Sequence, residues 1–280
     1  MKIFVINLKQ AVDRKRHMEK QLKKLNLSYE IIEAVNGRAL DDQALVECSN
    51  FDFYQQHPTW ETRGKGLIGC ALSHQSIYKK IVAEKIPRAI ILEDDIQMTK
   101  NMRLLFMRIN KLTNIDKNEL ILFDAMSNGE KVQLSAFNRR KIAENFSLLY
   151  PINFNNLWHC SAYSISYESA AAFLKCYPKV ERVADAWGAF YAKNIFSTIS
   201  CVNPFASYQG AFESNIATPK KRLALKAKAK LMFQHVVPSQ YLLANKIKFA
   251  VSNLFKSRYK IINKFSLLDP SYVKKTIARH

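Results

Sequence analysis

The apolar run Ala89-Ile90-Ile91-Leu92 ends in three consecutive acids, Glu93, Asp94 and Asp95. Adjacent carboxylates repel one another and cost free energy unless a cation neutralises them. Hard oxygen ligands suit Mg²⁺ or Mn²⁺, which would bridge the two phosphates of a nucleotide diphosphate and stabilise charge on a departing diphosphate. We assign Glu93 and Asp95 to such a metal and Asp94 to the nucleotide-bearing substrate. The plainer alternative is a solvated strand-to-helix turn with Asp95 as its cap. Ser73-His74, inside a helical stretch, can contact a ligand or sit satisfied in the core. Gly66 and Gly69, at the start of that stretch, leave backbone N–H groups open to an anion.

The elements that position these residues alternate. Lys2 to Leu8 is β-branched and aromatic and predicts a first buried strand. Asp13 can cap a helix carrying Met18, Leu22 and Leu25 on one face. Tyr29 to Ala34 predicts a second strand, ended by the turn Asn36-Gly37. A helix over Gly66 to Glu84 stops before Pro87, and the strand Ala89 to Leu92 runs straight into the acids. A helix over Met102 to Leu112, strands over Leu120 to Phe123 and Ser147 to Tyr150, and a strand–helix pair over Ala162 to Cys176 follow. This alternation predicts an α/β fold with a mostly parallel sheet and helices on both faces. Ligands of such sheets bind beyond the carboxyl ends of the strands, where the acids fall.

With 48% hydrophobic and 24% charged residues, the 280-residue chain can bury a large core. Its longest apolar runs fall far short of the roughly 20 residues that span a bilayer, and its first residues do not complete a signal-peptide core. The five cysteines form no CxxC pair and no metal-binding spacing, so they are expected to be reduced and buried in a cytosolic protein. The net charge is +20, but Lys220 to His280 holds fifteen Lys or Arg against one acid, a net +14. There Leu243, Ile247, Ala250, Val251, Leu254 and Phe255 recur at helical spacing among lysines. We therefore expect a catalytic domain over residues 1–218 and a basic amphipathic helical tail over 219–280. The tail either lies on an anionic bilayer or docks on the catalytic body. Nucleic acid is not expected as a partner, because no zinc-finger spacing, RNP-like motif or recognition helix is present.

The series Val5-Ile6-Asn7-Leu8, Asp13-Arg14 with Arg16, Glu33-Ala34-Val35-Asn36-Gly37, Gly66 to His74 and Ile90 to Asp95 resembles glycosyltransferase family 25. These are bacterial lipooligosaccharide glycosyltransferases and relatives of the collagen galactosyltransferases. The resemblance implies a GT-A-like, Rossmann-like fold, a UDP-sugar donor, usually UDP-galactose, a divalent metal, and inversion at the anomeric carbon. It places Asn7, Leu8 and Ala34 at the nucleoside, Arg14 and Arg16 at the diphosphate or base, with an exposed helix face as the alternative for either arginine, and Ser73 and His74 at donor or acceptor. Asp185 becomes the candidate catalytic base, with a helix N-cap as its alternative role, and Trp187 beside it can stack on a sugar. Asp124 is the reserve base. The segment Phe123-Asp124-Ala125-Met126 departs from the family pattern. The expected activity is hexosyl transfer to a lipooligosaccharide or other lipid-linked acceptor at the inner face of the cytoplasmic membrane. The alternative is a non-catalytic basic adaptor for membrane or nucleic acid.

Overall fold

In the computed structural model, residues 1–50, 64–112, 116–127, 131–210, 212 and 259–262 are described. The first strand, β1 (Lys2–Asn7), is buried from Ile3 to Asn7. Its side chains alternate between two cores: Phe4 and Ile6 belong to one, Ile3 and Val5 to the other. A strand buried on both faces reads as a continuous apolar run, which is why β1 and β3 (Arg88–Glu93) were legible.

The helix α1 (Val12–Lys24) follows β1 and buries Met18, Leu22 and Arg14. Asp13 does not cap it: the cap position is Ala11, without a side-chain hydrogen bond, and Asp13 stands in the first turn. The strand β2 (Glu30–Glu33) returns parallel to β1. A short helix α2 (Asp42–Cys48), capped by Asp41, precedes the long helix α3 (Lys65–Ala83). After β3, a short strand β4 (Ile96–Met98) and α4 (Met102–Lys111) lead to β5 (Glu119–Leu122). A hairpin of β6 (Val132–Ala143) and β7 (Phe146–Pro151) precedes β8 (Ala162–Ser166), α5 (Tyr167–Cys176), α6 (Trp187–Ala192), β9 (Thr198–Asn203) and β10 (Ser207–Gln209). Four further residues, Tyr259–Ile262, form β11.

Nine strands make one sheet in the order β11-β6-β7-β9-β5-β8-β3-β1-β2. β8 is antiparallel to both β3 and β5, and β7 to both β6 and β9, while the remaining pairs are parallel. The sheet is thus mixed but mostly of one direction, with β7 and β8 reversed. Reversal matters for β8, because its amino end arrives at the edge where β1, β2, β3 and β5 deliver their carboxyl ends. The register fixes the level: Ile6 pairs with Glu93, and Leu92 with Ala162. Separately, β10 pairs antiparallel with β4, setting Gln209 opposite Ile96 and bonding Gly210 N–H to Asp95 O at 2.6 Å.

The basic segment beyond residue 218 lies outside the described residues except for 259–262. These four run parallel to β6 at the edge of the sheet. Among the described residues no helix is long and apolar enough to cross a membrane.

Candidate functional site

A cleft of about 410 Å³ opens at the carboxyl ends of β1, β2 and β3. Leu8, Ala34, Gly66, Ser73 and the three acids line it, as do Trp158, His159, Cys160, Asp185 and Gln209. A larger hollow of about 550 Å³ surrounds Lys2, Glu84 and Arg88, where β1 and β3 begin. We place the site in the smaller cleft, because strands of an α/β sheet present ligands at their carboxyl ends.

The three acids face different partners. Asp94 accepts from Asn7 Nδ2 at 2.7 Å and from Arg14 Nη1 at 2.8 Å. Arg14 Nη1 also reaches Asp95 Oδ2 at 3.2 Å, and its guanidinium stands 5.6 Å from the Phe212 ring centroid. Burial raises the pKa of both aspartates above the ordinary carboxylate value despite Arg14, and the charge of Glu93 adds to the rise at Asp95. The Asp95 Oδ1 atom is buried and has no hydrogen-bond partner among the described residues. An orphaned carboxylate oxygen beside the Asp94–Arg14 pair fits a hard divalent cation. Asp95 is thus the residue that would hold one.

Glu93 turns to a different set. Its Oε1 lies 3.4 Å from His74 Nε2, 3.4 Å from Cys160 Sγ and 3.7 Å from Cys70 Sγ. Burial alone would raise its pKa, but the His74 hydrogen bond and charge outweigh that and hold it at about 2. Burial would likewise lower His74, yet hydrogen bonds with Cys70 and Glu93 lift it to about 9. On its other side His74 Nδ1 meets Tyr163 Oη at 2.7 Å, and Tyr163 Oη meets Tyr78 Oη at 2.8 Å. His74 is therefore in the core behind the cleft floor.

The other sequence candidates divide between wall and support. Leu8 and Ala34 are in the wall. Asn7 is buried and supports it, holding Asp94 and, at 3.1 Å, Ala11 O. Arg16 stands on the exposed face of α1, paired with Asp13 at 3.5 Å. Ser73 Oγ accepts from Val35 N–H at 2.9 Å and donates to Gly69 O at 2.7 Å, stapling α3 to the loop after β2. Gly69 does not expose its backbone to an anion: a Cβ there would meet Gly37 N at 2.5 Å and Val35 O at 2.6 Å. Trp187 cannot stack on a sugar, because it is fully buried. It packs edge-on against Tyr163.

Asp185 is in the cleft wall and is not a helix cap, since α6 has Ala186 at its cap position and no side-chain cap bond. Its Oδ2 accepts from His159 N–H at 2.9 Å. Burial raises its pKa. Asp124 is buried, accepts from Ala125 N–H at 2.9 Å, and has Oδ2 3.5 Å from His159 Nδ1. His159 thus joins the two acids, with Ser161 Oγ 3.2 Å from its Nδ1 and Trp187 Nε1 donating to its carbonyl at 3.1 Å.

His159 has φ of 91°. That backbone region costs a residue with a Cβ about 1–3 kcal/mol and persists only where surroundings over-determine it, as these bonds do. Glycine carries no such cost. We expect His159→Gly to be more stable than His159→Ala by about 1 kcal/mol, measured by urea denaturation. Equal midpoints would show that the ring contacts, not the backbone, set the energy here.

The sequence reading missed His159, Cys160, Trp158 and Gln209. No local motif marks them: the first three precede a reversed strand, and Gln209 arrives through the β4–β10 pair. The cysteines show no metal-binding spacing along the sequence, yet the fold brings two of them together with a histidine and an acid: Cys70, His74, Glu93 and Cys160 offer ligand atoms all within 4.8 Å of one another. Two of them are an i, i+4 pair on α3, and the others come from distant strand ends. All five cysteines are free, but only Cys160 and Cys201 are buried.

The sequence profile of glycosyltransferase family 25 (LPS biosynthesis protein) matches residues 1–187, which contain both Asp124 and Asp185 and all three strand-end acids. The chain belongs to glycosyltransferase family 25. Human procollagen galactosyltransferase 2 is 30% identical over 120 residues, 42% of this chain and 19% of that protein. A glycosyltransferase 25 family member of Drosophila melanogaster is 32% identical over 125 residues, 44% of this chain and 20% of that protein. The mouse inactive glycosyltransferase 25 family member 3 is 33% identical over 103 residues, 36% of this chain and 17% of that protein. The matched segments span about a fifth of the length of these relatives. Membership therefore gives a family 25 glycosyltransferase framework.

Proposed function

We propose that this chain is an inverting, UDP-sugar-dependent hexosyltransferase of GT-A-like fold, transferring galactose to a lipooligosaccharide core or similar lipid-linked acceptor. The observation that carries the reading is the cleft at the strand ends, where Asp95 offers an unpartnered buried oxygen beside Arg14. Leu8 and Ala34 would flank the nucleoside, and the N-terminal turn of α3, with Gly66 in the wall, would face the diphosphate. Mn²⁺ or Mg²⁺ at Asp95 would neutralise charge on the departing UDP. Glu93, whose Oε1 lies among thiols and imidazole, suits a hard cation less well than the sequence pattern suggests.

Asp185 would take the proton from the acceptor hydroxyl as the sugar carbon is attacked from the face opposite the diphosphate. Its burial-raised pKa brings it nearer to what a base at neutral pH needs. Asp124 reaches the cleft through His159. Trp158, with an indole N–H unpartnered among the described residues, can donate to a sugar or phosphate oxygen.

The basic segment after residue 219 would hold the enzyme on the anionic inner face of the cytoplasmic membrane, where each basic residue near the surface contributes about 1 kcal/mol. A non-catalytic adaptor is the second reading, favoured by the mouse relative whose name declares it inactive. UDP release from UDP-galactose with a divalent ion separates the two, because an adaptor releases none. In the same preparation UDP with Mn²⁺ should raise the melting temperature more than ADP or GDP. A ligand at a hundred times its Kd stabilises by about 2.7 kcal/mol. Equal shifts for all three diphosphates would remove the uridine pocket.

A further inference from the structure

We infer that Cys70, His74, Glu93 and Cys160 form a binding site for one thiophilic divalent cation of the Zn²⁺ class at the floor of the cleft. The four ligand atoms lie within 4.8 Å of one another, and the Glu93 Oε1 distances of 3.4, 3.4 and 3.7 Å are close to the edge lengths of a tetrahedron drawn around zinc with bonds of about 2.0–2.3 Å. Two sulfurs, one imidazole and one carboxylate are a soft set, unsuited to Mg²⁺ or Mn²⁺ and suited to Zn²⁺. An outer shell is already built. His74 Nδ1 is held by Tyr163 Oη at 2.7 Å, which leaves Nε2 turned to Glu93, as metal-bound histidines are fixed through their second nitrogen. Tyr78 in turn holds Tyr163.

Position adds to the chemistry. Cys70, Glu93 and Cys160 line the cleft, so an ion has an entry path. The backbone is pinned on either side, with Glu93 N–H on Ser161 O at 2.7 Å. Four protein ligands leave no open coordination position, so the site is of the closed type rather than a generator of hydroxide. Occupancy would remove Glu93 from any other role and distinguish this ion from the hard cation expected at Asp95. The inference does not rest on the glycosyl-transfer reading.

The test uses the full-length chain, reduced with a phosphine and titrated anaerobically with Co²⁺ as the spectroscopic stand-in for Zn²⁺. The expected result is one equivalent bound, with intense visible d–d bands of tetrahedral cobalt and near-ultraviolet thiolate-to-cobalt charge transfer, both displaced by Zn²⁺. Cys70→Ser/Cys160→Ser should lose the charge-transfer band, whereas Cys48→Ser and Asp95→Ala should keep it. Cooperative melting of the double variant shows that it folds; if it does not, Cys160→Ala alone should still weaken the band and lower Co²⁺ affinity at least tenfold. Absence of the bands in the wild-type chain, or their persistence in a folded double variant, overturns the site. So does recovery of Cys70 and Cys160 as a disulfide that after reduction takes up no cobalt.

Discussion

Asp95→Ala should lower UDP release from UDP-galactose by about a thousandfold while leaving the melting temperature nearly unchanged. The carboxylate offers an unpartnered oxygen on one side and a 3.2 Å contact to Arg14 on the other. Removing it leaves Arg14 paired with Asp94 at 2.8 Å, so no buried charge is stranded. What disappears is the group that, in the function we propose, would hold a cation against the leaving diphosphate. A loss of about 4 kcal/mol of such stabilisation corresponds to three decades in rate. Asp94→Ala should behave in the opposite way, because Asp94 accepts from both Asn7 and Arg14. Hydrogen bonds to charged groups contribute about 1.5–3 kcal/mol each, and we expect a loss of about 3 kcal/mol, seen as a lower urea midpoint at unchanged slope. A fully active Asp95→Ala enzyme would sink the cation reading. Equal instability of the two variants would sink the division of labour between them.

Gly37→Ala should be among the most damaging single-methyl changes available to the chain. A Cβ at position 37 would lie 1.8 Å from Lys65 O and 2.8 Å from Gly69 N. Both obstacles are backbone, so no rotamer change relieves them, and α3 must part from the loop after β2. Gly69→Ala meets the same crossing from the other side. Overpacking costs about 1–3 kcal/mol, and a backbone collision belongs at the top of that range, about 3 kcal/mol in urea denaturation. The same displacement would break the Ser73 staple to Val35 and move Ala34 and Cys70 in the cleft wall. Nucleotide affinity should therefore fall with stability. A Gly37→Ala protein as stable as the parent would show that this crossing is looser than its distances indicate.

Much of the site was legible because it sits where a parallel strand ends. Ile3 to Ile6 and Ala89 to Leu92 declare themselves by being apolar on both faces, and the acids follow the second directly, whereas Leu8 and Ala34 were assigned only through the family resemblance. What the pattern could not supply was the reversed strand. β8 looks like any buried strand, yet running antiparallel between β3 and β5 it carries the residues before it, Trp158 to Ser161, into the cleft. Periodicity has no sign, and so the direction of a strand escapes it. The same blindness misplaced Trp187, whose aromatic neighbourhood with Tyr163, Phe190 and Phe196 is a tertiary fact. Arg14 and Arg16 differ by two positions on α1, about 200° around a helix, so one ligand face can hold only one of them, and Arg16 takes the exposed helix face that stood as its alternative. Only Arg14 faces the acids.

The outer side of the β6–β11 pair has a consequence for solubility. β11 pairs with β6 only from Val132 to Ser135, and among the described residues no strand covers the rest of that 12-residue strand on this side. An uncovered edge is a template for another chain. Arg139 and Lys141 stand along this stretch, while Arg140 is taken up by its ion pair with buried Glu119, and the whole chain carries +20, so two copies approaching edge to edge meet like charge before they meet hydrogen bonds. That repulsion acts over about 10 Å at 0.1 M salt and about 3 Å at 1 M. Concentrated salt therefore weakens the like-charge repulsion between two copies meeting at this edge of the described residues.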